Sequence, residues 1–141
     1  MAYDRETFRR LAVSRLAEAR LLARGGQPSG AYYLAGYAIE CALKARIVGQ
    51  FRENEIPDKG LINDIYTHDL TKLIRLAGLQ SELDSAMQAD VLLGQRWAIA
   101  KNWSEQARYQ IWTDDDASAM IDAAAGAGDN EDLVQWLTRR W

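Results

Sequence analysis

The chain has 141 residues, 48% apolar and 26% charged, with a net charge of −3. That length suits one domain with one core, and the balance is that of an ordinary soluble globular protein. A single cysteine, Cys41, and a single histidine, His68, exclude an internal disulfide and leave no cysteine or histidine cluster for zinc.

The polar start, with Asp4, Arg5 and Glu6, has no secretory pattern behind it. The longest uncharged run ends at Ile39 and includes Gln27, Pro28 and Ser29, whereas a membrane span needs roughly 20 apolar residues. A cytoplasmic protein without membrane contact is the expectation. Charge is unevenly spread: residues 1 to 52 hold nine Arg or Lys against four Asp or Glu, leaving the remainder at −8. Six of those bases, Arg5, Arg9, Arg10, Arg15, Arg20 and Arg24, lie in the first predicted helix. They face either phosphate or the acidic run from Asp114 to Asp132, with solvated or self-paired arginines favoured in an acidic chain.

Every segment reads as helix. Residues 4 to 24 place Phe8, Leu11, Ala12, Leu16, Ala19, Leu22 and Ala23 at helical spacing, and Gly25-Gly26 followed by Pro28 ends that helix. Ser29 is the expected N-cap of a second helix from about 30 to 52. Proline, glycine and asparagine between Asn54 and Asn63 predict a loop. Thr67 is expected to cap a short helix, THDLTKLIRLAG, closed by Gly78. One helix then runs from about Ser81 to Lys101, with Leu83, Met87, Val91 and the Trp97 region as its apolar side. The segment NWSEQARYQIW reads as an aromatic connection. Asp114 to Asp116 open an alanine-rich helix ending near Gly126 and Gly128, and Asp129 is the expected cap of the last. No stretch alternates as a strand does. The expected fold is all-α, an antiparallel up-down bundle of four to five main helices forming a single domain over 1–141.

The second helix is apolar nearly all round, so it belongs at the centre, with Cys41 as a small core residue. Glu40 interrupts it, and a buried carboxylate needs partners. Lys44, four residues on, is the local one; in water such a pair contributes about 0.3–0.5 kcal/mol. The first-helix arginines and a tyrosine hydroxyl are further possible partners, and Glu40 reads as an orienting group rather than a base. His68, placed in the first turn of the helix after Thr67, sits near the positive dipole end, which favours neutral imidazole. It either packs as a capping residue or bonds Glu40, Tyr66 or a ligand. Arg108 and Tyr109 suit a phosphate and a planar base respectively. Equally, with Trp97, Trp103 and Trp112 close in sequence, they form an aromatic clasp with Arg108 in an ion pair. Glu40, Lys44, His68, Arg108 and Tyr109 are therefore the ligand-binding candidates. No catalytic group, metal set or cofactor is assigned, and no Gly-rich phosphate loop or Ser-His-Asp set is present.

Four elements, LAVSRLAEARLLARG (11–25), GAYYLAGYAIECALKARI (30–47), THDLTKLI (67–74) and WSEQARY (103–109), together resemble the HEPN domain, higher eukaryotes and prokaryotes nucleotide-binding. The resemblance spans nearly the whole chain and implies an all-α domain of four or five helices. It further implies a two-fold homodimer, often encoded beside a minimal nucleotidyltransferase as a two-component toxin–antitoxin pair, with nucleotide or RNA as ligand. Many such domains are metal-independent ribonucleases whose active site is an arginine followed four to six residues later by a histidine, shared across the dimer cleft. Around His68 that motif calls for arginine at 61, 62 or 63, where this chain has Leu61, Ile62 and Asn63. The expectation is a non-catalytic binding module; the alternatives are a ribonuclease toxin with a divergent site and a purely structural homodimer.

Overall fold

The computed structural model describes residues 3–126 and 132–141. It is all-α, with no strand among the described residues: α1 (Arg5–Arg24), α2 (Pro28–Gly49), α3 (Lys59–Ile65), α4 (Leu70–Leu76), α5 (Gln80–Ala89), α6 (Val91–Ala100), a 3-10 helix (Glu105–Tyr109), α7 (Asp114–Ala125) and α8 (Leu133–Thr138). Among the described residues no helix is long and apolar enough to cross a membrane.

The long α1 and α2 fold back on each other because Gly26 takes φ +76°, a left-handed turn, and Pro28 starts the next helix at once. α2 is the hub, packing against α1, α4, α7, α8 and the 3-10 helix. Its alanines at 31, 35, 38 and 42 have no exposed surface, so neighbouring helices approach its backbone closely on several sides. Gly36 is needed for this: a Cβ there would fall inside the Trp103 indole. That indole donates from Nε1 to the Tyr33 carbonyl at 3.2 Å. The C-terminal end closes the core, with Trp136 buried and Trp141 Nε1 donating to the Ala42 carbonyl at 2.9 Å.

Several boundaries differ from the sequence expectation. α2 begins at Pro28 after Gln27, and Ser29 instead accepts from the Trp112 amide at 2.9 Å. The expected loop contains α3, capped by Asp58 through the Leu61 amide at 3.2 Å. Asp69, not Thr67, caps α4, accepting from the Thr71 amide at 2.9 Å. The single expected helix from Ser81 to Lys101 is two, because Asp90 leaves helical geometry and caps α6 through the amides of Leu92 and Leu93. The expected Asp129 cap and the Gly128 stop lie outside the described residues, and α8 is capped by Asp132 through the Gln135 amide at 2.7 Å. On α1, Arg15 pairs with Glu18 at 3.0 Å and Arg20 donates to the Ala125 carbonyl at 3.1 Å, so these arginines serve the bundle itself.

Candidate functional site

Glu40 lies on the face of α2 that α4's leading turn covers, and its side chain is only 3% exposed. Lys44 Nζ is 3.4 Å from Oε2, and His68 Nδ1 is 2.7 Å from Oε1. The two cations of α1 and the tyrosine hydroxyls weighed as partners are not the ones used; both carboxylate oxygens are taken by Lys44 and His68. A carboxylate only accepts, so Nδ1 carries the proton and donates, and the imidazole orientation is fixed by a buried group. The same partner answers the choice weighed for His68: it bonds Glu40, while the Tyr66 side chain is well exposed.

Local turn chemistry delivers His68 to this place. Thr67 Oγ1 accepts from the Asp69 amide at 3.2 Å, and Asp69 Oδ1 accepts from the Thr71 amide and hydroxyl at 2.9 and 2.6 Å. The Thr71 hydroxyl, foremost among several hydrogen bonds, holds the Asp69 carboxyl below its ordinary pKa. His68 therefore precedes the N-cap instead of occupying the first helical turn, and it owes its setting to Glu40 rather than to the α4 dipole. Around Glu40 the interior is hard to charge further. Burial, reinforced by the Glu40 carboxylate, pushes the Cys41 thiol up to about 12. Burial, with Cys41 and Glu40 adding to it, also raises the Tyr37 phenol.

The His68 side chain is 43% exposed and forms part of the wall of a cleft of about 570 Å³. Lys101, Asn102, Trp103, Ser104 and Glu105 supply the facing wall. Tyr66 and Thr67 are shared with an adjoining cleft of about 620 Å³ that carries Lys72 and Arg75. Tyr66 is thus an exposed ring flanked by His68 and Lys101 on one side and two cations on the other. Lys101, Lys72, Arg75 and this role for Tyr66 escaped sequence reasoning. The one available signal was the proximity of Lys101 and Ser104 to Trp103 in the chain.

Of the five candidates, Glu40, Lys44 and His68 come together, whereas Arg108 and Tyr109 do not line the cleft. They sit on the 3-10 helix beyond Trp103, with the Arg108 guanidinium 5.1 Å from the Tyr109 ring centroid. Tyr109 foremost, and Tyr33 after it, raise the Arg108 pKa further. In place of the weighed ion pair, Arg108 stacks on its neighbour; the aromatic clasp itself is present. Trp112 lies 3.7 Å from Tyr32 between ring centroids, and its Nε1 donates to the Ala107 carbonyl at 2.9 Å. Among the described residues no group of three or more His, Cys, Asp or Glu could hold a metal ion. Compared with protein-family models, curated proteins and solved structures, the chain matches none.

Proposed function

We propose that this chain is a non-catalytic HEPN-type binding module, a homodimer that partners a minimal nucleotidyltransferase in a two-component, toxin–antitoxin-like system and takes nucleotide or RNA at the His68 cleft. The observation that carries the ligand assignment is the pre-oriented His68 imidazole, held at 2.7 Å by a buried carboxylate, beside Lys101 and the exposed Tyr66. A phosphate finds hydrogen-bond donors there, and a base finds a ring on which to stack. No arginine lines this cleft, so the arginine–histidine pair of the cleaving members is not assembled in it.

Trp103 in the cleft wall provides the assay. Titration with nucleoside phosphates and with a single-stranded oligoribonucleotide should change tryptophan emission, and the RNA should stay intact. Lys101→Ala should weaken binding by about 1.5–3 kcal/mol, the worth of a charge-assisted hydrogen bond. Unchanged emission with every ligand, or affinity indifferent to Lys101→Ala and His68→Ala together, would remove the ligand site. Failure to co-purify with a minimal nucleotidyltransferase encoded beside it would remove the partner assignment.

The Glu40–His68 dyad itself favours one alternative, a metal-independent HEPN ribonuclease with a divergent site. A donor–carboxylate pair leaves the other imidazole nitrogen able to act as acid or base. Metal-independent RNA cleavage abolished by His68→Ala would establish that alternative in place of the binding module.

A further inference from the structure

Residues 108–115 form an outward strip with an internal charge pattern. Arg108, Tyr109, Gln110 and Ile111 are all exposed, Tyr109 at 72% and Ile111 at 97%, and Asp114 and Asp115 follow, also exposed. A large apolar side chain so fully presented is uncommon when its backing is rigid. Here the backing is rigid. Trp103 and Trp112 bind the segment to α2 through Tyr33 and Ser29, and Trp112 stacks on Tyr32. Gln110 and Thr113 have extended backbone, and the amides of Gln110 and Trp112 turn inward to Ala107 and Ser29. In extended chain successive amides alternate in direction, so the Ile111 N–H turns outward; it makes no hydrogen bond among the described residues.

The geometry points to this strip as the seat of a second copy of the chain, paired antiparallel about a two-fold axis through Ile111. The inference rests on the homodimer proposed above and says where its interface lies. Ile111 stands midway in sequence between Arg108 and Asp114. An antiparallel pair centred on it sets the two Ile111 residues together and brings each Arg108 to the Asp114 end of the other copy. The patch is self-complementary, as a two-fold interface requires. A parallel arrangement would oppose Arg108 to Arg108 and the aspartates to one another. An unrelated partner would have to reproduce the whole cation–apolar–anion order, which a second copy carries already. Tyr109 and Arg108 are the residue types that anchor interfaces, and edge-to-edge backbone pairing at Ile111 supplies direction. The strip is short against the roughly 800 Å² per partner of a stable complex, so dissociation falls in the micromolar range.

Light scattering and sedimentation of the full chain across micromolar concentrations test this. The wild type should approach twice its 15.9 kDa mass. Ile111→Asp should be monomeric with unchanged helical circular dichroism, since the side chain touches no core. Arg108→Asp should weaken association about tenfold or more, and Arg108→Asp with Asp114→Arg should restore it by exchanging the paired charges. A dimer that persists in Ile111→Asp, or a charge reversal that the reciprocal change does not rescue, would place the interface elsewhere while leaving the dimer itself standing. A wild type that stays monomeric throughout would overturn the dimer and this placement together.

Discussion

At the His68 wall the backing is ionic: a carboxylate buried in α2 holds Lys44 on one oxygen and His68 on the other. At the Arg108–Ile111 strip the backing is aromatic: two indoles and a tyrosine ring pin the chain to the same helix from the other side of Trp103. Both present exposed groups on a fixed support, yet they fail in different ways. The ionic support depends on the charge balance of a desolvated site, where removing one partner strands the other. The aromatic support depends on volume, and it is indifferent to pH.

Three measurements sharpen that contrast, beginning with the largest expected effect. Trp103→Ala empties the space above Gly36 and removes the bond to Tyr33, so it should cost about 3–5 kcal/mol in denaturant unfolding. It should loosen both regions, because Trp103 borders the cleft as well as the strip. A loss below about 1 kcal/mol would show that the indole is only a cover, since large-to-small core changes cost several times that.

Glu40→Gln should cost about 3 kcal/mol by leaving the Lys44 ammonium buried without a counter-charge. Glu40→Gln with Lys44→Met should recover much of that loss, because an apolar pair needs no compensation. Equal midpoints for the wild type and Glu40→Gln would mean that the pair is solvated and that the ionic support is not structural.

The smallest effect appears only in alkali. Cys41 has its pKa raised from an ordinary 9.0 to about 12, chiefly by burial. A group raised on folding contributes stability that is complete below the unfolded value and fades as pH rises through the folded one. Stability should therefore hold at neutral pH and fall between pH 9.0 and about 12 by roughly 1 kcal/mol for each pH unit. Tyr37, raised for the same first reason, acts in the same direction at higher pH. Cys41→Ala should flatten the first part of the decline, and a thiol reagent should leave Cys41 unmodified until the chain unfolds. Rapid modification of the native protein, or an alkaline profile identical in Cys41→Ala, would contradict the burial on which this rests.

Local patterns carried most of the fold. The apolar circumference of α2 marked it as central, and the Gly25-Gly26-x-Pro28 break marked the α1–α2 turn, because both are properties of adjacent residues. The break between α5 and α6 was hidden: Asp90 sits in a sequence that continues the helical period, and its capping of Leu92 and Leu93 competes with the helix only once the two segments pack separately. α3 was hidden for the opposite reason, since Pro57, Gly60 and Asn63 punctuate the segment as a loop while the Asp58 cap still starts a helix.

The candidate site divides along the same line. Lys44 was assigned to Glu40 from spacing alone, because four residues along a helix bring two side chains together whatever the rest of the chain does. His68 lies 28 residues from Glu40, and sequence left it with several possible partners. Only the docking of the α4 turn against α2 chose among them. Arg108 and Tyr109, grouped with His68 by chemical type, are set apart by Trp103, whose indole occupies the space on Gly36 between the cleft and the strip. The sequence by itself determined which elements form and which pairs lie within a helical turn, since those follow from short-range geometry. Which distant groups share a site was decided by tertiary packing, because a buried carboxylate and a close helix contact have meaning only after the chain has closed around them.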